Sequence, residues 1–352
     1  MRRRPFVRLA ARLAAATALL LAGCGGGPGD GGPGDGGPDG GRSGGAGPDR
    51  QRTFTNPVHA ADTPDPQAIQ VAGVWYLFHT NNRQHNVPVL TSPDLVTWAP
   101  AGDALPTLPG WADPGRTWAP EVVALAPDRY ALYYTAAASA AGRQCIGVAT
   151  ATAPQGPYRD ASAGPLVCQA GEGGSIDASP FRDGDGALYL LWKNDGNAIG
   201  MDTWLYVQRL SDDGRSLRGA PTRLLRQTEP WEGHLVEGPF LWRHEGRLFL
   251  FYAANAYDRS SYAEGYATCG TPLGPCEKAP ENPILRSKGP ASGPGHASMV
   301  VKDGRTWLLY HAWPAGAEGS TDPGRQLWLD EVTWEGGRPT VHGPTSEPQP
   351  RP

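Results

Sequence analysis

The sequence lacks any long run of apolar residues at helical spacing, and its 48 glycines and 36 prolines would interrupt such a run. It has no basic stripe of the kind that binds nucleic acid, and its formal net charge is −4. The apolar run at residues 13–22 is too short to span a bilayer, which needs roughly 20 residues. These absences argue against a helical fold, a nucleic-acid partner and a membrane-spanning helix at that position.

The N-terminal residues follow the order of an export signal. Arginines precede the apolar run, which ends at Leu21-Ala22-Gly23-Cys24. This ending resembles a bacterial lipobox, in which the cysteine is lipidated; the alternative is a cleaved signal with Cys24 merely nearby. We therefore predict a lipoprotein signal peptide in residues 1–23 and a flexible linker rich in Gly, Pro and Asp in residues 24–52. The protein would be lipid-anchored through Cys24 at the extracellular face of the cell membrane, or secreted.

Cysteine is scarce in the rest of the chain. Cys145 and Cys168 bracket one segment, and Cys269 and Cys276 bracket another. The spacings contain no close Cys-x-x-Cys pair, which disfavours a zinc site. An even number of cysteines in an exported protein predicts two disulfides. Three connectivities are open, of which local pairing is the simplest.

One cassette recurs five times. Each copy begins with a polar residue and continues through a short turn into an aromatic strand, with steps of 56, 56, 60 and 59 residues between the leading positions Asp65, Glu121, Asp177, Glu237 and His296. A period of this length with several strands per unit is typical of a β-propeller, and a two-sheet sandwich would not explain it. We predict an all-β, five-bladed β-propeller in residues 53–344, followed by a loose, Pro-rich tail in residues 345–352.

The leading residues of the cassette are expected to converge, because the innermost strand of every blade faces the central channel. Any single acid among them could be an ordinary turn residue. Four acids at matched positions would crowd one cavity and raise one another's pKa values. Such an arrangement is typical of a functional site.

Five short motifs surround these positions and cover nearly the whole predicted domain. They are Pro64-Asp65-Pro66, Trp118-Ala119-Pro120-Glu121, Ser175-Ile176-Asp177-Ala178-Ser179-Pro180, Val236-Glu237-Gly238-Pro239 and Gly293-Pro294-Gly295-His296. In type and order these motifs resemble those of glycoside hydrolase family 43, whose five-bladed propellers cleave arabinose- and xylose-containing glycans.

The resemblance implies a catalytic set for an inverting glycosidase. Asp65 would be the general base, Glu237 the general acid and Asp177 the residue that modulates the pKa of the acid. Asp62 is the rival base, but Asp65 holds the family's Asp-Pro position. In an inverting enzyme the base and the acid lie about 6.5–9.5 Å apart, so that a water fits between them.

The resemblance also suggests residues that bind the substrate. Arg325 would reach the sugar hydroxyls, although a solvated loop charge is the alternative. Trp118 is predicted to be a sugar-stacking wall or else ordinary blade packing, and Glu121 is predicted to support the substrate site. A mildly acidic domain rich in Trp and Tyr fits a neutral partner such as a sugar. We expect a monomer whose partner is an arabinose- or xylose-containing glycan.

His296 replaces the acid in the fifth copy of the cassette. In arabinan-cleaving relatives a histidine at this Gly-Pro-Gly-His position lies on the channel axis, where it contacts a metal ion or water. A calcium ion on the axis is one interpretation, although a lone histidine is a poor ligand for a cation that prefers oxygen. A histidine that is simply hydrogen-bonded in the channel is the other. No cofactor is expected to be required.

Two functions are consistent with these observations. The first is a glycoside hydrolase that cleaves arabinose- or xylose-containing plant glycans by single-displacement inversion. The second is a non-catalytic propeller that binds glycans at the cell surface. Three crowded carboxylates favour the hydrolase, because binding alone does not require them.

Overall fold

The computed structural model describes residues 52–352. The predicted signal peptide, its lipidation site Cys24 and nearly all of the predicted linker lie outside the described residues. Within residues 52–352 the only helices are three short 3-10 turns, Ala170–Glu172, Gly196–Ile199 and Pro230–Glu232. No helix in this part of the chain is long and apolar enough to cross a membrane.

Each cassette folds into one antiparallel meander, and the five meanders are the blades of the predicted β-propeller. Four blades have four strands and blade 2 has three. Blade 1 contains β2 (Gln67–Val71), β3 (Val74–Phe78), β4 (Pro88–Ser92) and β5 (Ala99–Asp103); blade 2 contains β6 (Asp113–Ala126), β7 (Arg129–Ala138) and β8 (Arg143–Ala151); blade 3 contains β9 (Ser175–Arg182), β10 (Leu188–Asn194), β11 (Trp204–Leu210) and β12 (Leu217–Arg226); blade 4 contains β13 (Val236–His244), β14 (Arg247–Ala254), β15 (Ala263–Cys269) and β16 (Cys276–Lys278); blade 5 contains β17 (Ala291–Lys302), β18 (Arg305–Pro314), β19 (Gln326–Glu335) and β20 (Arg338–Val341).

The second strand of each blade is apolar on both faces, because every blade packs between two others. In β18, Leu308 and Tyr310 pack against Phe251 of blade 4. The alternate residues Trp307 and Leu309 pack against blade 1. A strand buried on both faces loses the alternation of polar and apolar residues and becomes a short continuous apolar run. This is the origin of the aromatic strands that are visible in the sequence.

Five hydrophobic clusters fill the five interfaces between blades. One of them joins blade 5 to blade 1 and brings Trp307 against Trp75 and Leu77. Apolar packing between blades 5 and 1 therefore helps to close the ring.

Segment 56–63, which precedes blade 1, closes the ring by pairing with β19 of blade 5. The side-chain amide of Asn56 donates to the Leu329 carbonyl (2.9 Å) and accepts from the Leu329 N–H (2.9 Å). The Val58 N–H donates to the Leu327 carbonyl, and the Thr63 N–H donates to the Arg325 carbonyl. These bonds link positions more than 250 residues apart.

The C-terminal tail adds to this closure. Gln349–Pro350, β21, pairs with Thr53–Phe54, β1. The Gln349 side chain also donates to the carboxylate of Asp330, which is fully buried in β19. The expectation of a loose tail in residues 345–352 is therefore wrong, because β21 pairs with the N-terminal strand β1 and the Gln349 side chain binds to blade 5.

The four cysteines of the propeller form two disulfides with local pairing, as expected. Cys145–Cys168 ties β8 to the segment that precedes β9, and Cys269–Cys276 joins the facing strands β15 and β16.

We predict that Asn56→Ala weakens the ring closure specifically. The substitution removes three hydrogen bonds and leaves the Leu329 N–H without the acceptor that Asn56 provides, so the free energy of unfolding should fall by about 2–4 kcal/mol. Urea unfolding measures this loss. Hydrogen exchange should rise in residues 53–63 and 325–330.

Asn282→Ala is the matched control, because Asn282 bridges the N–H and carbonyl of Tyr266 in the same way but within one blade. It should cost comparable stability without faster exchange at the two ends of the chain. Equal exchange patterns in the two variants would show that Asn56 has no special role in closure.

Candidate active site

The five innermost strands share one backbone conformation. In blades 2 to 5 the strand contains a residue with a left-handed φ, and in blade 1 this residue lies two positions before β2: Asp65 (55°), Ala119 (42°), Asp177 (58°), Gly238 (56°) and His296 (51°). Two residues later, each strand pairs with the second strand of its blade through Gln67↔Phe78, Glu121↔Tyr133, Ser179↔Leu191, Phe240↔Phe251 and Ser298↔Leu309. The structural repeat therefore aligns these five left-handed residues with one another. We call them the axial residues.

This alignment corrects the register that the sequence suggested. Glu121 lies two positions after the axial residue Ala119, and Glu237 lies one position before Gly238. Only two of the four acids, Asp65 and Asp177, occupy equivalent positions. The expectation of four matched carboxylates is wrong, because the polar residue that begins each cassette does not keep a constant offset from the left-handed residue.

A backbone hydrogen bond across a blade interface supports three of the axial residues. The N–H groups of Asp65, Ala119 and Asp177 donate to side chains of the preceding blade, namely His311 Nδ1, Thr80 Oγ1 and Thr135 Oγ1. A left-handed φ is unfavourable for a residue other than glycine and persists where the surroundings hold it. Here it turns Asp65 and Asp177 toward the channel.

One cavity of about 330 Å³ opens on the channel axis. It brings together six of the residues predicted from the sequence: three acids, a tryptophan, a histidine and an arginine. Its lining consists of Asp65, Thr80, Trp118, Ile176, Asp177, Lys193, Asp195, Asn197, Ala198, Glu237, Tyr257, His296 and Arg325.

Asp65 is buried among cations and donors. Its Oδ1 accepts from the guanidinium of Arg325 at 2.8 Å, and its Oδ2 accepts from the Thr80 hydroxyl. The Nδ1 atoms of His296 and His311 lie 3.4 Å from Oδ1. Burial opposes ionisation, but Arg325, the two histidines and Thr80 outweigh it and hold the pKa of Asp65 well below its usual range. Asp65 is therefore a carboxylate at neutral pH.

Asp177 has the opposite balance. Its Oδ2 accepts the N–H of Gly238 at 3.0 Å. Burial is the largest influence and raises its pKa, and the charge of Glu237 acts in the same direction, while His296 and Lys193 oppose them. The Gly238 bond also ties Asp177 to the backbone directly after Glu237.

Glu237 has both carboxyl oxygens engaged. Oε1 accepts from the Tyr262 hydroxyl at 2.7 Å, and Oε2 accepts from the Lys193 ammonium at 3.2 Å. Neither partner was predicted from the sequence. Lys193 is a cation near the end of an otherwise apolar strand, β10, and this unusual placement could have identified it as a candidate site residue. Tyr262 lies before β15, in a segment without a repeated motif.

Glu121 does not line the cavity. It is buried and accepts from the Ser179 hydroxyl at 2.9 Å, one layer farther along the channel. Burial, together with the charge of Asp177, raises the pKa of Glu121 to about 8. Glu121 therefore does not line the cavity, and its supporting role stays a prediction, whereas Trp118 does line the cavity.

Arg325 is held by the ring closure as well as by Asp65. Its backbone N–H donates to Asp62 Oδ1 at 2.8 Å, and its carbonyl accepts from the Thr63 N–H. Its guanidinium lies 4.8 Å from the ring centre of Tyr257, a half-exposed cavity residue that the sequence analysis missed. Asp62, the rival base, lies outside the cavity lining and instead fixes the backbone of Arg325.

The surroundings of His296 do not fit a calcium ion. Its Nδ1 faces Asp65 Oδ1, an oxygen that the Arg325 guanidinium already contacts. Calcium binds six to eight oxygen ligands. Among residues 52–352 no group of three or more His, Cys, Asp or Glu side chains is arranged to hold a metal ion.

Solved structures share this architecture. A thermostable family-43 glycoside hydrolase is 34% identical, with a TM-score of 0.76 over 85% of this chain and 99% of that one. An endo-1,4-β-xylanase from Bacteroides thetaiotaomicron is 28% identical, with a TM-score of 0.71 over the same shares.

Curated relatives carry several names. A β-D-galactofuranosidase of Aspergillus niger is 28% identical over 73% of this chain and 75% of its own length. A β-xylosidase of Bacillus subtilis is 26% identical over 82% of this chain and 57% of its own length. An extracellular exo-α-(1→5)-L-arabinofuranosidase of Streptomyces avermitilis is 25% identical over 80% of this chain and 61% of its own length. The chain thus spans little more than half of the last two proteins.

The model of glycosyl hydrolases family 43 matches residues 54–339, which is nearly the whole propeller. The five-bladed ring, its axial carboxylates and this match lead to one conclusion: the chain belongs to glycosyl hydrolases family 43.

Proposed function

We propose that the protein hydrolyses arabinose- or xylose-containing plant glycans with inversion at the anomeric carbon. The observation that carries the proposal is the contrast between two carboxyl groups in one cavity. Asp65 is kept ionised by cations, whereas Glu237 lies beside Asp177 and has both oxygens oriented by donors. Glycoside hydrolysis requires one carboxylate that takes a proton and one carboxylic acid that gives one.

In this mechanism Asp65 takes a proton from a water that attacks the anomeric carbon. Glu237 gives a proton to the departing glycosidic oxygen. Asp177 acts on Glu237 through its charge and through the Gly238 N–H, which fixes the backbone next to the acid. Arg325 orients Asp65 and lines the cavity, where its guanidinium can also meet sugar hydroxyls.

The substrate class rests on the relatives and on the cavity. The xylosidase and arabinofuranosidase names point to pentoses, and the galactofuranosidase adds a furanose with one more carbon. A cavity of about 330 Å³ lies at the small end of ligand sites, which span roughly 300–1,000 Å³. This size suits a short stretch of glycan, with the half-exposed Tyr257 at the side of Arg325.

Glu237→Gln should lower kcat/KM for pentose glycosides by about 10²–10⁴-fold, because glutamine cannot donate the proton. Asp65→Asn should cause a loss of similar size. Initial rates with methyl arabinofuranoside, methyl xyloside, methyl galactofuranoside and linear arabinan, whose leaving groups need a proton, measure both effects and identify the preferred sugar.

Glu121→Gln is the matched control. The raised pKa keeps Glu121 protonated at neutral pH, so glutamine preserves its size and neutral charge. Its rates should stay within about threefold of wild type, since Glu121 lies outside the cavity. If Glu237→Gln retained wild-type rates, the general-acid assignment would be wrong. If the wild-type protein bound these glycans without cleaving them, the non-catalytic alternative would be correct.

The stereochemistry provides a separate test. With a single displacement, proton NMR of the first-formed sugar should show the anomer opposite to that of the substrate. Release of the same anomer would mean that a covalent intermediate forms, and the base assignment of Asp65 would have to be abandoned.

We also propose that the enzyme is exported and anchored through lipidated Cys24. The lipobox-like phrase, the two disulfides and the extracellular relative support this location. In a bacterial host, radiolabelled fatty acid should be incorporated into the full chain but not into Cys24→Ser. Equal labelling of both proteins would contradict the anchor.

A further inference from the structure

One residue beside each axial position has the same role in three blades. These residues lie two positions beyond the pairs described above, in the second strand or, for Thr80, just after it; they are Thr80, Thr135, Lys193, Ala253 and His311. The side chains of Thr80, Thr135 and His311 accept a backbone N–H from the next blade. Lys193 cannot do so, because an ammonium group donates and has no acceptor.

The next blade compensates for this exception. The N–H of Gly238, which would face residue 193, donates instead to Asp177 Oδ2 at 3.0 Å. Lys193 therefore makes no contribution to the shared scaffold at this position. It remains a buried cation, 1% exposed, and this is costly unless its charge has a partner.

The partners of Lys193 are carboxylates in the cavity. Its Nζ lies 3.2 Å from Glu237 Oε2 and 3.7 Å from Asp195 Oδ1. Burial disfavours the charged form, but Glu237, Asp177 and Asp195 outweigh burial and raise the pKa of Lys193. The side chain is therefore an ammonium at the working pH.

The two oxygens of Glu237 consequently differ in kind. Oε2 faces a group that only donates, so Oε2 must act as an acceptor. Oε1 faces the hydroxyl of Tyr262, which can donate or accept and therefore tolerates a proton on Oε1. The two oxygens are therefore distinguished by their partners, because Oε2 faces a fixed positive charge and Oε1 faces a hydroxyl.

We propose that Lys193 is a positioning residue for Glu237, which keeps the transferable proton on Oε1 and stabilises the carboxylate that remains after transfer. In the step, the O–H bond at Oε1 breaks and an O–H bond forms on the departing oxygen. That oxygen also keeps the electron pair of the broken C–O bond. The negative charge left on Glu237 lies beside the ammonium. This inference rests on the proposed role of Glu237 as general acid.

Other charged groups also act on Lys193 and Glu237, and they are unchanged in the variants used for the test. Asp177 and Asp195 flank Lys193, His296 and Asp65 act on Asp177, and Arg325 neutralises Asp65. Tyr262 and the buried Glu264 face Glu237 from β15 and the segment before it. Because the Lys193 variants keep all of these groups, a change in their pH profile reports the loss of the Lys193 charge alone.

The test compares two leaving groups on the same sugar. In Lys193→Met, kcat/KM for the methyl glycoside should fall roughly 10–100-fold, because this leaving group needs a proton. The value for the 4-nitrophenyl glycoside should fall less than about threefold, because nitrophenolate departs without one. The ratio of the two rates does not depend on how much of the protein is folded. The alkaline limb of the pH profile should move to higher pH, since loss of a nearby cation disfavours the carboxylate.

Two further variants sharpen the result. Lys193→Arg should restore most of the ratio. Lys278→Met should leave the ratio unchanged, because Lys278 pairs with the buried Glu232 at 2.6 Å outside the cavity. Equal losses on both substrates with an unmoved alkaline limb in Lys193→Met, or an altered ratio in Lys278→Met, would overturn the inference.

Glu237→Gln, measured in parallel, separates this inference from the proposed function. Wild-type hydrolysis of the methyl glycoside by that variant would reject the general acid itself. A strong loss in Glu237→Gln combined with no leaving-group effect in Lys193→Met would reject only the role of Lys193.

Discussion

The pairing of segment 56–63 with β19 is the constraint on which the rest of the molecule depends. A propeller directs its innermost strands at one axis only while all of its blade interfaces are formed. The interface between blades 5 and 1 joins regions that are not consecutive in the chain, so it needs bonds that local folding cannot supply. The Asn56 amide, the Val58 and Thr63 N–H groups and the packing of Trp307 supply them. The same pairing holds Arg325 against Asp65, which couples closure of the ring to the charge state of the cavity.

The cavity accommodates several acids because each has a different environment. Asp65 is neutralised by Arg325, while Asp177 is buried with weaker compensation and has a raised pKa. Lys193 adds a second cation on the opposite side, next to Glu237. Cations of two blades thus give the clustered carboxyl groups different electrostatic surroundings, which is the kind of difference that acid–base catalysis uses.

The sequence predicted the architecture well, because the period of the cassette and its aromatic strands follow from packing every blade between two others. It also placed Asp65, Asp177, Glu237 and Arg325 in one cavity. The sequence did not reveal which residues of the five blades are structurally equivalent. The left-handed residue is Ala119 in one blade and Gly238 in another, and neither stands at a fixed distance from an acidic residue. Tyr262 and Lys193 were not predicted, because no tyrosine or lysine recurs at the corresponding positions of the other blades and the repeat therefore does not mark them. The tail was predicted to be loose because its composition is Pro-rich, and composition does not reveal the specific hydrogen bonds of Gln349.

The bond between Asp65 and Arg325 spans 260 residues, and this has a consequence for how the molecule comes into being. A chain synthesised from its N-terminus presents Asp65 early, but the guanidinium that keeps it ionised arrives only with the last blade. Until then Asp65 has the Thr80 hydroxyl but no cation beside it, and the first blade has an open apolar face. Contacts of such long range form slowly, and unpaired strands are exposed to association while they wait. The cavity therefore gains its full set of charges only when the last blade is in place, and a chain interrupted before residue 325 has all three carboxylates but lacks the guanidinium that pairs with Asp65.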